Sequence, residues 1–281
     1  MPEKPEDEYA MPGAGRSNPL QAPYEPSLID IREVRKTYSS RRGSVEALAS
    51  VSLQVRRGEF VSLLGPSGCG KSTLLMIIGG LTPPTAGEVR VEGTVVNDAQ
   101  TDLGIVFQEP VLLDWRNSLD NVMIQVEARR LDRNIYLPRA KQLLASVGLS
   151  EFEDKYPFEL SGGMRQRVSI CRALVHKPRL LLMDEPFGAL DALTRDQMNF
   201  DLQRIWLQNP ITVLFVTHSI SEAVFLSDRI VVMSPRPGLV DAVVPIDLPR
   251  PRGLDIQETP AFSSYVQAIK RRFAVRGVIH G

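Results

Sequence analysis

Gly65-Pro66-Ser67-Gly68-Cys69-Gly70-Lys71-Ser72-Thr73 decides the fold. It matches G-x-x-x-x-G-K-[ST], follows a strand-like run ending at Leu64 and opens a helix-like run. The glycines let the backbone curl until successive N–H groups point inward at phosphate oxygens. The helix starting near Lys71 adds the positive end of its dipole. In such a loop Lys71 places an ammonium on the β- and γ-phosphates, and the Ser72 hydroxyl ligates Mg²⁺. A chance glycine turn would not come with strand, loop and helix in order. Cys69 stands where a helix N-terminus lowers a thiol pKa, yet a small residue that suits the turn is the simpler reading.

Outward from the loop, short β-rich runs alternate with helical stretches. That predicts a βα-built domain with a mostly parallel sheet. Strands are expected at Leu28–Val34, Ala47–Val55, Glu59–Leu64, Gly87–Val91, Leu103–Phe107, Arg179–Asp184, Ile211–Thr217 and Arg229–Met233. The runs at 61–64, 180–183 and 213–216 suit central strands covered on both faces. Helices are expected at 71–79, 191–208 and 219–226. The strand signal disappears between Glu109 and Leu160, so a helical insertion is expected over about 109–175, with Pro138 at the first turn of one helix. Residues 1–27, with their prolines and acids, read as a flexible tail. After about Pro245 comes Leu248-Pro249-Arg250-Pro251-Arg252, then an amphipathic helix over Ala261–Phe273. The domain reading is therefore a tail over 1–27, a core over 28–245 and an extension over 246–281.

Two further clusters carry chemistry. Leu180-Leu181-Leu182-Met183 ends in Asp184-Glu185. Ligand sites of parallel sheets lie at the carboxyl ends of strands, so both acids should emerge beside the phosphate loop. There Asp184 would help hold hydrated Mg²⁺ and Glu185 would polarise a water attacking the γ-phosphate. Adjacent residues point to opposite sides of a strand, so the two acids cannot share one role. The other cluster, Leu160-Ser161-Gly162-Gly163-Met164-Arg165-Gln166-Arg167, opens a helix. Ser161 is a good N-cap, and the two glycines bare the N–H groups of that helix end, which makes a second anion receptor. A plain N-cap accounts for Ser161 but not for paired glycines followed by the basic Arg165 and Arg167.

With these residues in place, the chain resembles the ABC ATPase family over about residues 28–245. Ser161-Gly162-Gly163 is similar to that family's signature motif, with Met164 where glutamine is usual. The resemblance implies an α/β P-loop fold with a mostly parallel core, an antiparallel β subdomain and a helical insertion. It also implies a head-to-tail homodimer, in which the signature of one copy closes over the phosphate loop of the other around ATP and Mg²⁺. Gln108 resembles the Q-loop glutamine that reaches Mg²⁺ and senses the membrane partner. His218 resembles the switch histidine, Asp191 the D-loop aspartate and Tyr38 the A-loop aromatic that stacks on adenine. The family's docking region for a separate transmembrane permease corresponds to Gln108 through Trp115 and the helix around Asn121. Trp115 fits either that role or core packing. Leu160–Arg172, Glu185–Asp191 and Leu248–Arg252 resemble ATPases of importers for nitrate, sulfonates such as taurine, bicarbonate or pyrimidine precursors. That kinship implies a peripheral protein on the cytoplasmic face of the inner membrane, served indirectly by a solute-binding protein. An exporter subunit would share the same catalytic residues.

Composition narrows the alternatives. The 281 residues carry 33 basic and 33 acidic side chains. That balance argues against a nucleic-acid binder, which shows a basic excess or stripe. Arg41-Arg42, Arg56-Arg57 and Lys270-Arg271-Arg272 read as solvated faces. Cys69 and Cys171 are too few for a disulfide framework, and a reducing compartment is expected. No signal peptide and no apolar run of about 18 residues is found. A P-loop small-molecule kinase would have no use for Ser161-Gly162-Gly163 or His218. A soluble ABC machine for DNA or ribosomes would bring two nucleotide domains or a long coiled coil. His176 and His280 have no context and receive no role.

Overall fold

A computed structural model describes residues 27–41, 43–208 and 211–277. The expected tail, except Ser27, falls outside the described residues, as do Arg42 and His280. The chain begins with β1 (Ser27–Ser40), β2 (Gly43–Arg56), β3 (Phe60–Leu64), α1 (Lys71–Ile78), β4 (Ala86–Val91), β5 (Thr94–Val95) and β6 (Leu103–Val106). Three helices follow, α2 (Ser118–Ala128), α3 (Arg133–Ser146) and α4 (Gly162–Leu174). The remainder is β7 (Leu180–Asp184), α5 (Ala192–Gln208), β8 (Thr212–Thr217), α6 (Ile220–Leu226), β9 (Arg229–Met233), β10 (Val240–Pro245) and α7 (Pro260–Val275).

Two sheets result. One has the order β10-β9-β3-β8-β7-β6 and is parallel except for β10; the other, β2-β1-β4-β5, is antiparallel. Alternation along the parallel strands explains why the central runs are apolar throughout. Val61, Leu63, Leu180, Leu182, Leu214, Val216, Val231 and Met233 join the core shared with α1 and the antiparallel sheet. Their neighbours Phe60, Leu64, Leu181, Met183, Val213, Phe215, Ile230 and Val232 join the core shared with the helices beyond α1. Each such side chain contributes about 1.5–3 kcal/mol of burial. Ser62 interrupts the run, and its buried hydroxyl is satisfied by that of Ser227.

Three differences from the sequence expectations have physical causes. First, β1 continues to Ser40, because Lys36 to Ser40 pair with the opposite arm of a hairpin down to Gly43. That half is mostly exposed, so no apolar alternation marks it. Second, β5 and β10 were not expected; both are short edge strands with little buried surface. Third, Pro138 lies inside α3, not in its first turn. The Asp132 carboxylate accepts the N–H of Asn134 and starts the helix at Arg133, five residues earlier than Pro138. Pro138 is exposed, so the Asn134 carbonyl it leaves without a helical partner faces the solvent side.

The segment after β10 is built into the core. Arg252 is 2% exposed. Its guanidinium donates to the carbonyls of Val224, Phe225, Ser227 and Leu248, closing the C-terminus of α6. The Arg250 guanidinium bonds Leu226 O and Asp228 and lies 4.5 Å over the Trp206 ring. Phe262, Ile269 and Phe273 bury one face of α7. Arg56, Arg57 and the 270–272 cluster are exposed.

Candidate functional site

The phosphate loop occupies residues 65–70, between the carboxyl end of β3 and the start of α1. Gly70 caps α1 with φ 103°, a left-handed conformation that favours glycine. A Cβ there would stand 2.7 Å from Ala47 O, so only glycine fits. Lys71 is 4% exposed. Its ammonium donates to the carbonyls of Gly65 at 2.9 Å and Pro66 at 3.0 Å and lies 3.7 Å from Glu185 Oε1. Cys69 is buried, and burial pushes its thiol pKa up despite Lys71 beside it. Desolvation thus outweighs the helix end, and the small-residue reading of Cys69 fits that balance.

The carboxyl end of β7 meets this loop. Ser72 Oγ donates to Asp184 Oδ1 at 2.8 Å. Burial raises the Asp184 pKa, opposed by the Ser72 hydrogen bond and Lys71. A hydroxyl and a carboxylate side by side supply hard oxygen donors, and the adjoining cleft leaves room for phosphates and water; that set fits Mg²⁺. Glu185 has φ 44°, a conformation uncommon for a residue other than glycine. Its N–H is held by Val216 O at 2.9 Å, so β8 sustains the bend. The bend aims Glu185 away from Asp184: its Oε2 lies 3.1 Å from His218 Nδ1 at the end of β8. A Cβ on Gly188 would lie 3.6 Å from Gln108 Nε2 and 3.8 Å from Glu185 Oε2, which places Gln108 across Gly188 from Glu185.

Part of this set lines one cleft of ≈ 510 Å³, which Asp184 and His218 reach through Ser72 and Glu185. Ser67, Gly68, Gly70, Lys71, Ser72 and Thr73 form its floor, Gln108 and Glu185 one part of its wall, and Tyr38, Val45 and Ala47 another. Tyr38 pairs with Val45 across the β1–β2 hairpin and is 45% exposed. Lys36 Nζ sits 5.0 Å from its ring centroid and covers one face. Arg236 also lines the cleft. It follows Lys71 by far in sequence, and Ser234-Pro235-Arg236-Pro237-Gly238 reads as an ordinary turn, so no sequence signal marks it.

Ser161, Gly162 and Gly163 are not among the lining residues of this cleft. Ser161 caps α4 by accepting the Met164 N–H at 3.2 Å, and Ser161 and Gly162 are exposed. A Cβ on Gly163 would stand 2.6 Å from Thr194 Cγ2, so a larger residue would require Thr194 to shift. Arg165 and Arg167, expected to reinforce this anion receptor, are engaged elsewhere. Arg165 bonds Leu160 O at 2.8 Å and Arg167 pairs with the buried Asp201 at 3.1 Å. Asp191 accepts the N–H and hydroxyl of Thr194 at 3.0 and 2.7 Å, which hold its carboxyl below the usual range.

A polar chain that the sequence reading missed links two of these segments. Glu222 is 6% exposed, accepts the Thr217 hydroxyl at 2.6 Å and lies 3.5 Å from Arg195. Arg195 in turn donates to Leu190 O at 2.9 Å. Burial raises the Glu222 pKa, opposed by the Thr217 hydrogen bond and Arg195. Ser219-x-x-Glu222 has the spacing of a capping box, the one signal that could have singled it out. The Glu222 carboxylate turns to Thr217 instead, whose hydroxyl takes the Ser219 N–H at 3.0 Å.

Beside Gln108 runs a groove lined by Pro110, Val111, Leu112, Asp114, Pro157 and Leu190. Val111 has φ 47° and is 59% exposed. Arg172 of α4 holds the carbonyls of Pro110 and Val111 at 2.7 and 2.6 Å, and Gln166 of α4 holds that of Phe107 at 3.2 Å. Trp115 is 74% exposed, so it is not core packing. Asn121 is fully buried and bonds Leu113, Arg116 and Asn117, so it shapes the loop from within.

Residues 48–188 match the family described as ABC transporter. The chain is 40% identical to an aliphatic sulfonates import ATP-binding protein of Bacillus cereus, covering 89% of this chain and 98% of that one. It is 44% identical to a taurine import ATP-binding protein of Rhizobium johnstonii, covering 90% and 97%. It is 43% identical to a bicarbonate transport ATP-binding protein of Synechocystis, covering 84% and 85%. Its fold is similar to the dimeric structure of a post-hydrolysis state of an ATP-binding cassette bound to ADP and Pi. That match has TM-score 0.69 and 34% identity over 81% of this chain and 100% of the other.

Proposed function

The chain belongs to the ABC transporter family as one of its ATP-hydrolysing subunits, and on that premise we propose that it drives uptake of a small solute through a separate permease. The observation that carries this reading is a division of parts. Lys71, Ser72 and Glu185 line one cleft, with Asp184 bonded to Ser72 and His218 to Glu185, whereas Ser161 and Gly162 are exposed and do not line it. Two copies placed head to tail complete both sites, each lending its 161–163 segment to the other's phosphate loop.

Phosphoryl transfer to water needs positioning and charge neutralisation above all. The N–H groups of Ser67, Gly68 and Gly70 and the Lys71 ammonium take the phosphate oxygens. Lys71 leaves the Gly65 and Pro66 carbonyls to do so. Tyr38 stacks on the base, a contact worth about 1–3 kcal/mol by analogy with bases on aromatics. Glu185 accepts the proton of the attacking water as the new bond to the γ-phosphorus forms and the bond to the β–γ bridging oxygen breaks. His218 holds the Glu185 carboxylate in the direction that needs it. Ser72, Asp184 and Gln108 would hold Mg²⁺, which would supply positive charge to offset that of the phosphates. The other copy's Ser161 side chain and the N–H groups beside it close on the γ-phosphate, and Asp191 lies at the junction of the two sites.

The groove beside Gln108, with the exposed Val111 in its lining and the exposed Trp115 next in the chain to its Asp114, receives the permease. Arg172 and Gln166 tie that groove to α4, so a push on it reaches the 161–163 segment. No helix among the described residues is long and apolar enough to cross a membrane. We assign the chain, by its likeness to import ATP-binding proteins, to the cytoplasmic face of the inner membrane as a peripheral subunit. A solute-binding protein would serve the complex from the other side. The relatives of similar identity are named as ATP-binding proteins of sulfonate or taurine import and of bicarbonate transport, so we assign a solute of that range, nitrate and pyrimidine precursors included. A deletion strain grown on single sources of these solutes tests the reading. Growth lost on one source should return with wild type and not with Glu185→Gln. Normal growth on every source, with toxic compounds accumulating, would overturn import.

A further inference from the structure

We propose that Arg236 binds the adenosine end of the nucleotide, a role that rests on the ATP-binding reading above. The 234–239 loop between β9 and β10 is fixed against the phosphate loop. Gly238 N donates to Ala47 O at 2.9 Å, and Ala49 N donates to Gly238 O at 3.1 Å. A Cβ on Gly238 would lie 2.1 Å from Cys69 O, so backbone meets backbone there and only glycine fits. Within the loop, Ser234 N donates to Leu239 O and Ser234 Oγ accepts Leu239 N, both at 3.0 Å. Pro235 and Pro237 restrict the residues on either side of Arg236. The loop thus holds its one cation at the cleft wall with little backbone freedom.

Arg236 is exposed into that cleft and makes no hydrogen bond or ion pair with the other described residues. Lys71, by contrast, is held by two carbonyls. A guanidinium beside a polyanion site and without an acidic partner is available to the ligand. Its planar fork can bond ribose oxygens or stack on the base. Position decides which end it meets. Gly238 is bonded to Ala47, two residues along β2 from Val45, and Val45 pairs with Tyr38. Arg236 therefore belongs to the Tyr38 wall, and Glu185 and His218 mark the opposite, γ-phosphate end.

Equilibrium binding of ADP, of a non-hydrolysable ATP analogue and of inorganic tripolyphosphate to the full chain tests this, with Arg236→Ala, Arg236→Lys and Lys71→Ala compared. Arg236→Ala should bind ADP and the ATP analogue about tenfold more weakly, the scale of one charge-assisted hydrogen bond. Tripolyphosphate should be affected less than twofold, and Arg236→Lys should recover part of the loss. Affinities of Arg236→Ala within twofold of wild type for both nucleotides would overturn the proposal. So would a loss confined to the ATP analogue, which would put Arg236 at the γ-phosphate. If Lys71→Ala also bound every ligand as wild type does, the cleft reading itself would have failed. A loss at Lys71→Ala alone leaves that reading standing and removes only Arg236.

Discussion

His218 Nδ1 and Glu185 Oε2 stand 3.1 Å apart across the ends of neighbouring parallel strands, 33 residues apart in sequence. Neither strand alone would aim its side chain there. Glu185 reaches the histidine because its backbone turns through φ 44° with its N–H fixed to β8. Glu185→Gln keeps the shape and hydrogen-bonding reach of the side chain but removes its basicity. Phosphate release by that variant should fall about 10²–10⁴-fold, the usual worth of a general base. Nucleotide affinity should stay near that of wild type, and unchanged turnover would sink the assignment.

Ser161 faces solvent in the single chain, so its part in binding depends on a second copy. In a Glu185→Gln background, ATP should convert the chain from monomer to dimer in light scattering. Adding Ser161→Arg should abolish that conversion by placing bulk and charge at the contact. Losing the cap on α4 should cost about 1 kcal/mol of stability in the monomer, so melting curves show whether the variant is still folded. ATP-dependent dimers of the double variant would argue against the head-to-tail arrangement.

Arg252 ties the segment after β10 to the C-terminus of α6, the helix that follows His218. Burial lowers its pKa to about 10, so the guanidinium remains charged at neutral pH. Arg252→Met should lower the free energy of unfolding by about 2–4 kcal/mol, because the carbonyls it caps lose a buried partner. Arg252→Lys should recover little, since one ammonium cannot span the same carbonyls. Urea midpoints equal to wild type for both variants would show that the segment is not part of the cooperative core.

His176 is 7% exposed, and a weak hydrogen bond with the Leu103 backbone does not offset the burial of its ring. Burial, with Arg129 next in weight, lowers its pKa to about 4 from the ordinary 6.5. Below pH 6.5 the unfolded chain takes a proton that the folded chain refuses, so stability falls as pH drops from 6.5 to about 4 and then levels off. The loss is on the order of 1–2 kcal/mol, discounted from the full linkage value for solvent screening. His176→Phe should flatten that part of the pH–stability curve. An unchanged curve would show that the ring does not titrate in this way.

Contiguous motifs were legible because each carries its own local physics. Residues 65–73 read as a phosphate loop from glycine spacing and flanking patterns, and the end of β7 read as a carboxylate site from an apolar run that stops in two acids. The insertion was visible because strand patterning lapses after β6. Legibility failed where local signals were outvoted or too weak. Asp132 began α3 ahead of Pro138, and edge strands β5 and β10 buried too little to leave a pattern. Arg165 and Arg167 looked like anion binders by proximity in sequence, but folding gave each a closer partner.

By itself, then, the sequence determined the order of the strands with buried faces and of the helices between them, the phosphate loop and the kind of chemistry at each strand end, since these depend on neighbours a few residues apart. Tertiary structure alone decided which distant groups meet: Glu185 with His218, Glu222 with Arg195, Gly238 with Cys69, and Arg252 with the end of α6. Those meetings depend on strand order and on backbone turns such as that at Glu185, which arise only when packing across the sheet offsets their local cost.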